Sequence, residues 1–287
     1  MEEQIFLKGT INVLSSKLPI RFFHCKSEDR PENHILHLNN YVEIYIYVSG
    51  NHHYVVENSL YRLKEGDVVI VNPREVHKAV PLTECTYERF YFLLDEKAFL
   101  AMEQDPLAPL LSRAEDAGNL VSMGEEKDEF LTLLYEISNC FCGGRNEEFR
   151  AFGYFMRALD MIRQRSKCNT CFADESHPTP LLLKKILAYV AEHIADIRST
   201  VEIASCLGVT PQHLSSYFSK HIGTSLKTFI QAKKIALAKE LLGKGANATE
   251  ACFESGFNDC SYFIRIFKKY VGKTPVEYKK SLNVNMR

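Results

Sequence analysis

The sequence predicts a multidomain α+β protein. A β-rich N-terminal domain is followed by helices and then by an all-α domain of two helix-turn-helix units joined by a long helix. Three observations predict it. Short Val-, Ile- and Tyr-rich runs broken by Gly, Asn and Pro fill the first hundred residues, most clearly from His34 to Leu94. Apolar stripes at helical spacing follow. Between Gly208 and Lys280, one pattern is written twice.

At 287 residues the chain is long enough for about two domains with proper cores. With 46% hydrophobic and 25% charged residues, its composition is that of an ordinary soluble globular protein. Met1-Glu2-Glu3-Gln4 starts no signal peptide, and apolar runs such as Val42 to Val48 are too short to span a bilayer, so a cytoplasmic protein without membrane contact is expected.

The β-rich part is read from its turns. His34 to Val48 ends at Ser49-Gly50-Asn51, and His52 to Glu57 closes at Asn58. Tyr61-Arg62-Leu63 leads to Glu65-Gly66-Asp67, Val68 to Val71 stops at Asn72-Pro73, and Tyr87 to Leu94 forms a later strand. Many short strands with close turns point to a sandwich or barrel. Composition then turns helical. Phe130, Leu133, Leu134, Ile137 and Phe141 form one stripe, and Phe152, Phe155, Met156, Leu159 and Ile162 another, with Gly143-Gly144 between them. The predicted division is 1–100 for the β domain, 101–168 for a helical region that covers it, 169–179 for a polar, proline-bearing linker, and 180–287 for the last domain.

Within that last domain, a shift of 49 residues lays Phe218 on Phe267 and Gly223 on Gly272. Val201, Ile203, Ala204 and Leu207 keep the helical period until Gly208 breaks it; Thr210-Pro211 then offers an N-cap hydroxyl and a proline at N1. In the second copy Gly256 and Asp259 take those places. Each copy therefore reads as helix, turn, helix, a plan whose second helix enters the major groove of double-stranded DNA. Ser225 to Leu242 is predicted as one amphipathic helix of about 17 residues, holding the two units roughly 25 Å apart. Charge agrees: residues 181–287 carry 16 Lys and Arg against 8 Asp and Glu, a formal +8, while residues 1–180 carry 19 against 28, a formal −9.

Gly256-Phe257-Asn258-Asp259-Cys260-Ser261-Tyr262-Phe263-Ile264-Arg265-Ile266-Phe267-Lys268-Lys269, closing on Gly272-Lys273-Thr274-Pro275 and Tyr278-Lys279, resembles the signature of the AraC/XylS family of bacterial transcription regulators. The resemblance covers residues 180–282. A second one lies upstream. His37-x-Asn39, Glu43 and Gly50, then Gly66-Asp67 through Pro73 to His77, resemble the two cupin motifs, with Asn39 where a second histidine usually stands. It implies a double-stranded β-helix, the cupin jelly roll, with a concave interior for a small molecule. His37, Asn39, Glu43, Tyr45 and His77 are the effector candidates, with His24 and Arg89 behind them and Tyr47 read as core. Family analogy favours a carbohydrate as effector, a homodimer in contact through the helical region 101–168 as the working form, an activator's role and RNA polymerase as a further partner.

In metal-dependent cupins the motif side chains hold a divalent cation. Here His37, Glu43 and His77 could contribute, but Asn39 is a poor ligand, so neither a metal nor any other cofactor is expected; the resemblance to regulators, which sense rather than transform, implies no enzyme activity. Two competing readings are a metal-dependent cupin enzyme and a thiol or zinc sensor, each fused to a DNA-binding module. The second rests on Cys140-x-Cys142 and Cys168-x-x-Cys171. Cys206 and Cys252 read as small buried hydrophobes.

On the recognition helices the exposed face of the first two turns would meet base edges. That selects Gln212, Ser215 and Ser216, with His213 beside them, in the first copy. In the second it selects Cys260, Ser261, Ile264 and Arg265. Arg265 leads, because a guanidinium grips guanine O6 and N7 together; Ser216 stands where the family often has arginine. Lys220, Lys268, Lys269 and Lys273 are the candidate phosphate contacts.

Overall fold

A computed structural model describes residues 5–11, 20–29, 36, 41–73, 75–95, 99, 105–112, 118–144, 146–167 and 180–284. The β domain has two antiparallel sheets. The larger is ordered β1 (Ile5–Ile11), β2 (Ile20–Asp29), β8 (Cys85–Leu94), β3 (Val42–Ser49), β6 (Asp67–Val71), β9 (Leu120–Ser122); the smaller is β5 (Ser59–Arg62), β4 (His52–Val56), β7 (His77–Pro81). The short helix α1 (Ala108–Leu111) lies between β8 and β9. Strand β9 was not anticipated: it lies within the stretch read as helical and pairs with β6, Val68 opposite Val121.

Burial explains why the strands look nearly continuous in apolar residues rather than alternating. Strands covered on both faces need no polar side. From β3, Val42, Ile44, Ile46 and Val48 join β8's Phe90 and Phe92 in a core completed by α2 (Lys127–Phe141) and α3 (Glu148–Ser166). The predicted stripe residues Phe130, Leu134, Ile137 and Phe141, with Phe155, Leu159 and Ile162, are all buried there. The opposite face of β3 sends Tyr45 and Tyr47 toward Tyr54, Val56 and Ala79 of the small sheet.

The small sheet has a second covered face, which no periodicity announced. Val55 and Val80 share one buried cluster with Leu183, Ile186 and Leu187 of α4 (Leu181–His193), Phe218 of α6 (Pro211–Ile222) and Phe229 of α7 (Leu226–Gly243). The layers are thus helical pair, large sheet, small sheet and C-terminal helices.

Helices α5 (Thr200–Cys206) and α6 form the first helix-turn-helix, α8 (Ala248–Glu254) and α9 (Cys260–Val271) the second, and α10 (Pro275–Val284) closes the chain. Thr210 accepts from the His213 amide and Asp259 from the Ser261 and Tyr262 amides, as the N-cap reading predicted. Gly223 and Gly272 end α6 and α9 in the left-handed region, at φ 65° and 78°. Both recognition helices are 12 residues long. Helix α7 runs 18 residues between the units, and its buried Lys234 stitches them to the frame: Nζ donates to the carbonyls of Ile197 at 2.8 Å and Gly256 at 2.7 Å. No helix among the described residues is long and apolar enough to cross a membrane.

Candidate nucleic-acid interface and effector pocket

The recognition helices sort their residues by face. Leu214 and Phe218 of α6, and Phe263 and Phe267 of α9, are fully buried, so the opposite faces are outward. Gln212, His213, Ser215, Ser216 and Lys220 are exposed on the first, and Ser261, Ile264, Arg265, Lys268 and Lys269 on the second; Lys273, just past Gly272, is exposed too. Ile264 leaves 43% of its surface in solvent, an apolar side chain on an otherwise polar face. Arg265 lies over the Tyr262 ring, 5.3 Å from its centroid, which restrains the guanidinium on the outward face of α9. Ser216 donates to the His213 carbonyl at 3.2 Å, so its hydroxyl is turned back onto its own helix.

Cys260 lies apart from this set. Half-buried at the start of α9, it points at Cys252, with the sulfurs 3.1 Å apart. Cys252 is buried as expected. Cys206, read as a buried hydrophobe, is exposed at the last residue of α5.

In the β domain, His37 and Asn39 lie outside the described residues. Glu43, Tyr45 and His77 come together between the sheets. Glu43 accepts from the Tyr54 hydroxyl at 3.2 Å and from His77 Nε2 at 3.2 Å, while His77 Nδ1 donates to the Glu75 carbonyl at 2.8 Å. Burial disfavours a charged imidazole there, but the charge and hydrogen bond of Glu43 outweigh it and hold the His77 pKa above its usual 6.5. Tyr45 shares a hydrogen bond with Tyr87 and packs on Tyr54, with centroids 4.4 Å apart. Arg89 is buried and lies over the Tyr87 ring at 4.6 Å, and burial lowers its pKa to about 10. These groups make a buried interior that is both polar and aromatic.

His24, the weaker candidate, lies elsewhere. On the helix-covered side, Ser138 of α2 bonds its Nδ1 at 3.1 Å and its Nε2 donates to Glu88 at 2.9 Å. Burial outweighs Glu88 and lowers the His24 pKa, and the two hydrogen bonds fasten α2 to the sheet. Among the described residues no group of three or more His, Cys, Asp and Glu side chains could hold a metal ion. Cys140 is buried and Cys142 exposed, while Cys168 and Cys171 lie outside the described residues.

Sequence reasoning missed the seam between the two halves. Lys78, 2% exposed, reaches out of β7 and donates to the Gly223 carbonyl at the end of α6, 2.5 Å away. Glu57, in the left-handed region at φ 52°, accepts from the Val76 amide at 2.6 Å and pairs with Lys233 of α7. A lysine in a short strand carries no sequence signal for such a partner.

Paired helix-turn-helix units on one rod, behind a β domain with a polar interior, define a DNA-binding regulator with a sensing domain. Comparison with known proteins makes this particular. A helix-turn-helix domain family matches residues 203–281, and the AraC-like ligand binding domain family matches residues 25–111. The chain belongs to the AraC type of DNA-binding transcription regulators with a ligand-binding domain, and is a regulator rather than an enzyme. Similar proteins include the HTH-type transcriptional regulators YfiF and YbfI of Bacillus subtilis. YfiF is 25% identical over 85% of this chain and 78% of the relative; YbfI is 23% identical over 79% and 80%. Regulatory protein PocR of Salmonella typhimurium is 28% identical, but over only 38% of this chain and 37% of its own length. A crystal structure of ToxT from Vibrio cholerae O395 is similar at 17% identity, covering 92% of this chain and 98% of that one, with a TM-score of 0.37.

Proposed function

We propose that the chain is a homodimeric transcription activator whose β domain binds a small organic effector and thereby changes how its two helix-turn-helix units meet DNA. The division of labour follows the sequence reading: residues 1–100 sense, 101–168 cover the sheet and contact a second copy, 169–179 link, and 180–287 bind DNA. Gln212, Ser215, Ser216, Ser261, Ile264 and Arg265 face base edges; Lys220, Lys268, Lys269 and Lys273 face phosphates. Glu43, Tyr45 and His77, with His37 and Asn39, hold the effector. A carbohydrate is the first class to try, since hydroxyl-rich ligands suit a mixed set of donors and acceptors on aromatic walls. RNA polymerase is the partner an activator requires.

One observation carries the reading. Strand β7 is two-faced: His77 points inward to Glu43, and its neighbour Lys78 points outward to Gly223, the cap of the first recognition helix. A ligand that displaced His77 from Glu43 would shift the same strand that grips α6. The difference in how well the ligand fits the two arrangements of β7 is what would bias DNA binding. Selection of bound genomic fragments, with and without a panel of sugars, tests this. An effector should change the fragments retained by the natural protein and leave Lys78→Met unresponsive. An effector response that survives intact in Lys78→Met would rule out β7 as the route.

A further inference from the structure

The duplicated architecture supplies an internal control for one feature of the second unit. Helices α5 and α8 correspond by a shift of 48 residues and α6 and α9 by 49, which places Ala204 opposite Cys252 and Pro211 opposite Cys260. The first unit folds with neither thiol, so packing alone does not demand them. In the second unit both are present, are not bonded to each other, and hold their sulfurs 3.1 Å apart. That is about 1 Å from the separation of a disulfide.

We propose that Cys252 and Cys260 are an oxidation site, closing to a reversible disulfide in the presence of a hydroperoxide. The two thiols have different parts. Cys260 is partly accessible, at the first position of a 12-residue helix. Cys252 is sealed from solvent, and burial, then the adjoining Cys260, push its thiol up to about 12. Cys260 therefore reacts first. Its thiolate attacks one oxygen of the hydroperoxide, the O–O bond breaks, and the alkoxide or hydroxide leaves to take up a proton, giving a sulfenic acid. The Cys252 thiol then attacks that sulfur, loses its proton and expels water. Two thiols lose two electrons in all, and the peroxide gains them.

Closure draws the start of α9 against α8. Ser261 follows Cys260 directly, and Ile264 and Arg265 sit one turn further on. The consequence for DNA rests on α9 being a base-reading helix, as proposed above; the thiol chemistry does not.

Both cysteines fall within one tryptic peptide, Gly245–Arg265, and Glu254 lies between them. Full-length reduced protein is treated with hydrogen peroxide, alkylated and digested. The expected result is a peptide two hydrogens lighter, unalkylated, whose halves stay joined after cleavage at Glu254 until a reductant is added. Cys260→Ser should abolish the cross-link. Cys252→Ala, a residue the first unit already uses at the matching place, should instead leave a Cys260 sulfenic acid that a 1,3-diketone traps. Recovery of the natural peptide with both cysteines alkylated would overturn the site. For the second arm, the affinity of oxidised protein for mixed genomic duplexes should fall on the order of tenfold, the loss of about one good base contact, and return with reductant. Equal affinity of the cross-linked and reduced forms would overturn the switch. Failure of the reduced protein to bind any duplex would count against the DNA reading while the cross-link stood.

Discussion

The two helix-turn-helix units share a backbone and differ in what surrounds it. Thr210 and Asp259 cap recognition helices of equal length, and left-handed glycines end both. Around that common frame, α6 presents serines and is gripped from below by Lys78 of the β domain. Helix α9 presents Arg265 and Ile264, and its neighbours are a thiol pair and the lysine-clamped turn at Gly256. One unit is tied to the β domain, and the other carries an arginine and an isoleucine on its outward face. The common frame comes from the matching caps and glycines, and the difference lies in the outward residues and in what each unit is tied to.

The largest expected effect breaks the symmetry at the turns. Gly208 and Gly256 both have positive φ, but a Cβ at Gly208 meets open space, whereas one at Gly256 would lie 2.2 Å from the Ala195 carbonyl oxygen. Gly208→Ala should cost about 1–2 kcal/mol, and Gly256→Ala about 3 kcal/mol or more, measured by urea unfolding. Equal costs would show that the two turns are equally open.

Base reading comes next. Arg265→Ala should lose about 1–3 kcal/mol on a selected site and blur preference at one base pair, while Ser216→Ala, whose hydroxyl is turned onto its own helix, should change binding by no more than about 0.5 kcal/mol. A uniform loss over all sequences for Arg265→Ala would make it a phosphate clamp instead.

The sensor side is sharpened by pH. A histidine whose folded pKa is raised binds its proton more tightly folded than unfolded, so its contribution is full below about 6.5 and fades as pH rises through the folded value. The stability gap between the natural protein and His77→Gln should therefore narrow on going from pH 6 to alkaline pH. A gap that stays constant with pH would show that His77 is neutral beside Glu43. The smallest effect belongs to Lys269→Ala, which should lower the salt slope of DNA binding by about one unit at nearly unchanged stability; an identical slope would place Lys269 off the phosphates.

Much of the C-terminal third was legible because its signals are local. Thr210-Pro211, Asp259 and the glycines each fix a few backbone angles, and the buried Leu214, Phe218, Phe263 and Phe267 follow from period alone. The β domain was legible in kind, and the resemblance to the cupin motifs put Glu43 and His77 in one candidate set. What stayed hidden is tertiary. Lys78, Lys233 and Lys234 look like ordinary surface lysines, yet they find backbone carbonyls or a carboxylate across the chain. Strand β9 is three residues long, too short for a pattern. The Cys252–Cys260 contact joins residues eight apart across a turn whose shape only the fold determines.

Footprinting of the natural protein on one selected genomic fragment tests the central claim most directly. Two units held by α7 should protect two major-groove segments about one helical turn, roughly 10 base pairs, apart on the same face of the duplex for each copy bound. A single protected groove per copy would contradict the account.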